Sequence, residues 1–425
     1  MQKDKVLVIG SGPAGLLAAG RAASRGQQVE ILEKMPRPAR KLGLTGKGRC
    51  NLTNEADQEE FLARFGTGGK FLRPALNRFS NRDLQAFLQQ LGVETITERG
   101  GRVFPARHTA PQVAGILVSW AREQGALLRT QTEVKDIFLK SGRIRGVRTA
   151  MPGAEAADNF QTREILTDKL ILATGGASYP ATGSTGQGHR LAQDLGHTVS
   201  PLKPALVPLE TKGGLAARLQ GVNLRNVQAV LYARGKMLDR AFGEMVFTHF
   251  GVSGPIILSL SKSAVQALAD SQQLRLVLDL KPAVSQEKLQ ARIARVAHEQ
   301  GKKNMSRLLK SFLPAKMIPA CLEQTKISPD KKGNQLTAEE QKRLRLWLKE
   351  LTLDIIRARP LEEAIVTAGG VSLKEVDPRN MASRLVPGLF FAGEILDLDA
   401  DTGGFNLQAA FSTGWLAGDA VSREK

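Results

Sequence analysis

The chain has 425 residues, 42% hydrophobic and 24% charged, the composition of a globular protein with two or three domains. No apolar run approaches the roughly 20 residues that span a bilayer, and two cysteines, Cys50 and Cys321, exclude a disulfide framework and fit a reducing, cytoplasmic setting. Lys and Arg (60) outnumber Asp and Glu (41), and the net charge of +19 favours polyanions: nucleic acid, an anionic membrane or phosphate-bearing ligands.

The opening reads as strand, turn, helix, strand. Lys5–Ile9 is a short apolar run of the kind buried in parallel sheets, Leu16 to Ala23 a helix of small residues, and Val29–Leu32 a second strand. Glycines follow the first apolar run at once, with no cleavage region of a secretory signal behind it. The turn is Gly10-Ser11-Gly12-Pro13-Ala14-Gly15, a G-x-G-x-x-G in strand-to-helix context. Gly10 permits the tight turn, Gly12 lets the backbone approach a pyrophosphate, and Gly15 lets the helix pack closely on the sheet. With Pro13 and Ala14 they form a helix start whose N–H groups and positive dipole end suit phosphates. Glu33 closes the second strand, placed for an adenosine ribose, with Lys34 beside it in the same site. An acid there disfavours a 2′-phosphate and leaves FAD or NAD.

A basic stretch follows from Arg37 to Asn54. Arg40, Lys41, Lys47 and Arg49 alternate with Gly43, Gly46 and Gly48, which makes a flexible, amide-rich anion cradle. Thr45, Cys50, Asn51, Thr53 and Asn54 supply short polar groups suited to flavin edges. Helical patterns occupy about 57–65 and 70–91, and strands return near 93–97, 102–104 and 127–139, the last containing Val134 as a cofactor contact. Lys169 to Ala173 is another apolar strand, ending in Thr174-Gly175-Gly176.

From about 200 the texture changes. Leu202–Leu209, Asn226–Leu231 and Arg275–Leu280 read as short strands of a β-rich insert. The pattern from 286 to 353 is helical and basic: between Gln286 and Glu350, 15 Lys/Arg stand against 7 Asp/Glu, a net of +8. Strands return at Glu363–Val371 and Leu389–Phe391, and the final helix begins near Asn406. Gly388 to Gly393 is a strand running into Glu394, and Gly403, Gly404, Asn406 and Leu407 open the last helix. Such a C-terminal return gives a carboxylate for the pyrophosphate and ribityl chain, and a helix dipole for the flavin's pyrimidine edge. A nicotinamide enzyme has no need of it, so the pair of sites selects FAD.

The Arg40–Asn54 string resembles the signature of the BaiN/RdsA-type (YhiN-like) flavoproteins. Ala173–Gly176 with the Gly183–Gly188 loop, Phe247–Pro255, Thr367–Val371, and Ala392–Glu394 through Asn406 are similar to that family in the same order. Thr45 stands where a serine is usual, Phe405 where tyrosine is, and Gln187 and His189 where an acid and an aromatic are expected. The resemblance implies an α/β fold: a split, Rossmann-like, two-dinucleotide-binding FAD domain with an inserted β-barrel-like domain that carries a helical subdomain. It divides the chain into a first FAD part (1–199), the β-rich insert (200–285 and 354–365), the basic helical subdomain (286–353) and the C-terminal FAD part (366–425).

The resemblance also implies reduction of a uridine in large-subunit ribosomal RNA to dihydrouridine, with hydride passing from reduced flavin N5 to uracil C6 and a general acid protonating C5. Cys50, from its place in the loop, is the first candidate acid and His249 the second. No second G-x-G-x-x-G sits between strand and helix, so NADH or NADPH would bind transiently. The basic 286–350 segment suits an RNA backbone, while 5% aromatic content argues against a broad base-stacking platform. No metal is expected. Two rivals stay open: a small-molecule FAD oxidoreductase or amine oxidase, and a non-catalytic FAD-containing RNA-binding factor.

Overall fold

A computed structural model describes residues 5–152, 160–270 and 273–422. The chain divides into two compact units, Met1–Lys203 with Ile365–Lys425, and Pro204–Ala364.

The first unit is built on five parallel strands in the order Leu389–Phe391, Lys169–Leu172, Lys5–Ile9, Gln28–Leu32 and Leu127–Arg129. Helices cover such a sheet on both faces, which is why Val6, Leu7, Val8, Leu170, Ile171, Leu172, Phe390 and Phe391 are all fully buried. Two helices, Pro13–Ser24 and Phe405–Val421, pack so closely that a Cβ on Gly414 would lie 2.3 Å from the Ala14 carbonyl oxygen, and one on Gly418 2.5 Å from that of Ala18. The two contacts advance together, so the helices run parallel. The first begins one residue before Ala14 and the last nine residues before Gly414, which places the last helix's N-terminus about 12 Å beyond the first's.

The pattern read as one helix over 70–91 is two, Gly69–Arg78 and Asn81–Gln90. Ser80 ends the run because its hydroxyl and the Asp83 carboxylate cap each other's backbone N–H groups in a capping box.

The second unit is a closed antiparallel barrel in the order Leu209–Thr211, Gly251–Ser253, Lys236–Phe247, Asn223–Ala233, Leu274–Asp279 and Leu351–Ala358. Helices Gln286–Glu299, Ile318–Thr325 and Ala338–Lys349 share its hydrophobic core, through residues such as Ile293, Leu322 and Leu344 beside Leu276 and Leu353. No helix among the described residues is long and apolar enough to cross a membrane, and no group of three or more His, Cys, Asp or Glu among them could hold a metal.

Candidate active site

The glycine turn is fixed by contact. A Cβ on Gly15 would lie 1.9 Å from the Gly10 carbonyl oxygen, and one on Gly10 2.6 Å from that of Ala173. A Cβ on Gly12 would meet nothing within 4 Å, so the space above the start of the first helix is open to a ligand. No side chain caps that helix start, nor the start of the last helix. Two uncapped, parallel helix starts, staggered by about 12 Å along their axes, suit a pyrophosphate at one and the electron-rich ring of a flavin at the other.

Glu33 accepts from the Ser11 amide (3.0 Å), the Ser11 hydroxyl (2.6 Å) and the Met35 amide (2.8 Å). A carboxylate has about four lone-pair sites, which leaves capacity for a ribose hydroxyl. Lys34 donates to Thr185 (2.8 Å), and its burial lowers the ammonium pKa against the pull of Glu133 and Glu33. The Val134 carbonyl accepts from Gln187, which also bonds Glu133 at 2.9 Å. One of the residues that departs from the family pattern thus braces this end of the site.

The Arg40–Asn54 stretch is built from short, tightly turned elements. Arg40–Leu44 is a short helix closed by the Thr45 hydroxyl on the Leu42 carbonyl (2.7 Å), and Thr45–Gly48 a 3-10 turn. Its end is bonded to the start of the last helix. With its amide oriented by its neighbours, Asn51 accepts from the Gly404 N–H at 3.0 Å, and Asn54 donates to the Gly403 carbonyl at 3.0 Å. A Cβ on Gly404 would lie 2.2 Å from the Thr53 carbonyl oxygen, and φ there is +99°, so only glycine permits this approach.

Lys41 and Glu394 form the site's polar centre. The Lys41 ammonium donates to Glu394 (2.7 Å) and Ser178 (2.7 Å), and Glu394 also accepts from the Thr367 amide (2.8 Å) and the Ser178 hydroxyl (3.2 Å). Gly176 and Gly393 make room for this: a Cβ on the first would meet Thr367 and Glu394, and one on the second would sit 2.8 Å from the Ala14 Cβ. Gly175 turns the chain with φ +74°, and the Thr174 hydroxyl packs where a side chain on Gly188 would have to go. Sequence reasoning missed Ser11, Ser178 and Thr367; the Thr-Gly-Gly ending beside Ser178 and the Thr-Ala-Gly-Gly run of Thr367 were the available signals. His189 is buried within electrostatic reach of Glu394, and burial lowers its pKa.

Several expected contacts are engaged elsewhere. The Arg49 guanidinium is paired with Glu98 and lies 4.4 Å over the Phe104 ring, so its side chain serves the neighbouring hairpin. The Asn406 side chain braces Ala400 through two hydrogen bonds, and Leu407 is half-buried beside it. Arg40 is exposed, as are Gly46 and Lys47. Cys50 is fully buried, and burial pushes its thiol up to about 11, so it holds its proton and presents no surface to a substrate. His249, in the second unit, stands exposed on the turn between Lys236–Phe247 and Gly251–Ser253, its ring edge-on to Phe250.

A parallel Rossmann-type sheet with two uncapped helix starts defines a dinucleotide-binding type of fold. The chain belongs to the family described as HI0933-like protein Rossmann domain, whose model matches residues 4–420. It is 32% identical over 421 residues to a 3-dehydro-bile acid delta(4,6)-reductase of Clostridium scindens, covering 99% of each chain. It is 28% identical over 417 residues to a ribosomal RNA dihydrouridine synthase of Escherichia coli, covering 98% of this chain and 97% of that one. The fold is shared with a 3-ketosteroid delta1-dehydrogenase from Sterolibacterium denitrificans (TM-score 0.57, 14% identity, 99% and 100% of the two chains).

Proposed function

We propose that the chain holds FAD in this cradle and reduces a uridine of large-subunit ribosomal RNA to dihydrouridine in the cytoplasm. Gly10, Gly12, Pro13, Ala14 and Gly15 would hold the pyrophosphate, Glu33 the adenosine ribose, Lys41, Gly393 and Glu394 the ribityl side, and the Gly403–Leu407 helix start the flavin's pyrimidine edge. When bound, the flavin supplies a hydride. The C5=C6 bond of uracil is conjugated to the C4 carbonyl, so the hydride belongs at C6 and a proton at C5. The proton at C5 is drawn from water; Cys50, fully buried, is assigned to shaping the loop. NADH or NADPH is the proposed transient electron source.

The observation that carries the RNA substrate is a group of unpaired cations. An isolated bridge between Asn304 and Lys332, with the Gly333 amide on the Lys303 carbonyl (3.0 Å), joins two basic segments of the second unit. Lys302, Lys303, Arg307, Lys310 and Lys332 are all exposed there, and none has an ion-pair partner among the described residues. Such a group raises a positive potential that favours association with a polyanion. The Escherichia coli relative supports the reading, since it is a ribosomal RNA dihydrouridine synthase. Identity to the bile acid reductase favours a second reading, reduction of a small conjugated ketone by the same cradle.

Reduced holoenzyme mixed anaerobically with unmodified large-subunit RNA should reoxidise with formation of dihydrouridine. Binding to single-stranded RNA should show a log–log salt slope near −3.5 for about five phosphate contacts, falling by about 2 in the variant K302A/K303A/K332A. Reoxidation only by a conjugated ketone would establish the second reading instead.

A further inference from the structure

The outer face of the barrel carries a second, chemically different surface. Along Asn223–Ala233, alternate residues are buried inward, which turns Gln228, Val230 and Tyr232 outward. The registers carry this face across neighbouring strands: Phe242 lies opposite Gln228, Arg240 opposite Val230 and Met237 opposite Tyr232 on one side, with Val277 and Arg275 opposite Val230 and Tyr232 on the other. Thr352 and Asp354 extend it one strand further. The result is an outward sheet face of four strands with an apolar centre, Val230 and Val277, and two aromatic rings.

A groove of about 950 Å³ runs over this face, with Tyr232, Val230 and Val277 in its floor and Gln286, Lys349 and Glu350 at one end. Phe242 flanks it and is 57% exposed, a state that costs solvation free energy when no partner covers the ring. Its cations divide into two sets. Lys349 is held by Asp279 at 2.6 Å, and Arg275 faces Asp354 at 3.7 Å. Arg234, in the groove wall, and Arg240, on the floor's edge, have no ion-pair partner among the described residues.

We infer that this face binds a single-stranded segment of the RNA, with bases stacked on Tyr232 and Phe242 and phosphates met by Arg234 and Arg240; the inference rests on RNA being the substrate. The chemistry is that of stacking platforms generally: a flat aromatic ring accepts any base, and a guanidinium reaches the backbone between them. Tyr232 and the position opposite Phe242 are four residues apart on one strand, about 14 Å, which leaves the intervening apolar floor for further bases. With two ion pairs cancelled, Arg234 and Arg240 outweigh Glu350 by one charge, and guanidiniums set beside two aromatic rings suit a base-bearing polyanion better than an apolar peptide. This surface differs from the Lys302–Lys332 group, whose attraction is Coulombic alone.

The test uses holoenzyme and a single-stranded decamer of uridylate, with Tyr232→Leu and Phe242→Leu, which keep an apolar side chain at each position. Each variant should weaken binding about 10-fold and the pair about 100-fold, with the salt slope unchanged because stacking releases no counterions. With RNA substrate, KM should rise while kcat stays. Affinity within twofold of the parent in the double variant, at unchanged melting temperature, overturns the inference. So does a change of oligomeric state with RNA affinity intact, which would make the face a contact between copies. If the parent holoenzyme never reoxidises with RNA, the function itself fails; if the double variant turns over RNA with the parent's KM, this surface alone does.

Discussion

Replacing Gly12 by alanine is expected to abolish flavin retention while leaving the apoprotein as stable as before. Most glycine substitutions in such a turn confound folding with binding, but the geometry separates them here. A methyl group at position 12 meets nothing of the protein within 4 Å, and the backbone there is ordinary, with φ −71°. The only thing it can obstruct is what approaches the helix N-terminus from outside. Displacing a pyrophosphate from those N–H groups should cost about 3 kcal/mol, or roughly 100-fold in affinity. Gly15→Ala is the contrasting case: its methyl would lie 1.9 Å from the Gly10 carbonyl oxygen and must push the helix off the sheet. It should lose both flavin and stability. Flavin absorbance of purified protein and the melting temperature of the apo form read the two effects apart. Retention of flavin by G12A would mean that the pyrophosphate does not lie over this turn.

The largest loss of stability without a change in the cradle is expected from Asp419→Ala. Asp419 sits on the last helix, 2% exposed, and accepts from Arg21 at 2.5 Å and from Arg78, with Arg25 3.6 Å away. It therefore ties the first helix and the helix Gly69–Arg78 to the last. Breaking a buried pair by removing one partner costs about 3–5 kcal/mol. The arginines are 20–39% exposed and can turn to water, so the lower end applies, about 3 kcal/mol and a Tm lower by roughly 6–12 °C. Burial would raise this carboxyl's pKa, but the hydrogen bonds from Arg78 and Arg21 outweigh it and hold it below 3.8. Its stabilisation is thus complete above the unfolded value of 3.8 and lost as pH falls through the lower native value. D419N should flatten that acid limb; an unchanged pH profile would show that the carboxylate is not what binds the helices.

What was legible in the sequence was what backbone sterics dictate. Gly10, Gly15, Gly393 and Gly404 stood out because contacts and φ values at those points admit no side chain, and sterics of that kind leave a local mark. The buried strands Lys5–Ile9 and Lys169–Leu172 were equally plain as unbroken apolar runs. The barrel's three-residue strands Leu209–Thr211 and Gly251–Ser253 were not, since three residues carry no period and their partners are distant in the chain. Polar partners were the least legible. Ser178 and Thr367 reach Glu394 only through the tertiary approach of separate loops, and Arg49 reads as a cofactor cation until Glu98, across the hairpin, takes it. Asn406 has the right place for a flavin ligand but spends its side chain on Ala400. The break at Ser80 was readable as a Ser-x-x-Asp box and yielded to the longer apolar pattern around it.

The central claim, a flavin cradle that reduces uridine in ribosomal RNA, meets its most direct test in nucleoside mass spectrometry of large-subunit RNA from a strain lacking this chain. The account predicts loss of a dihydrouridine, restored by the parent gene and not by the flavin-deficient G12A variant. Dihydrouridine at the parent level in the deletion strain would contradict it.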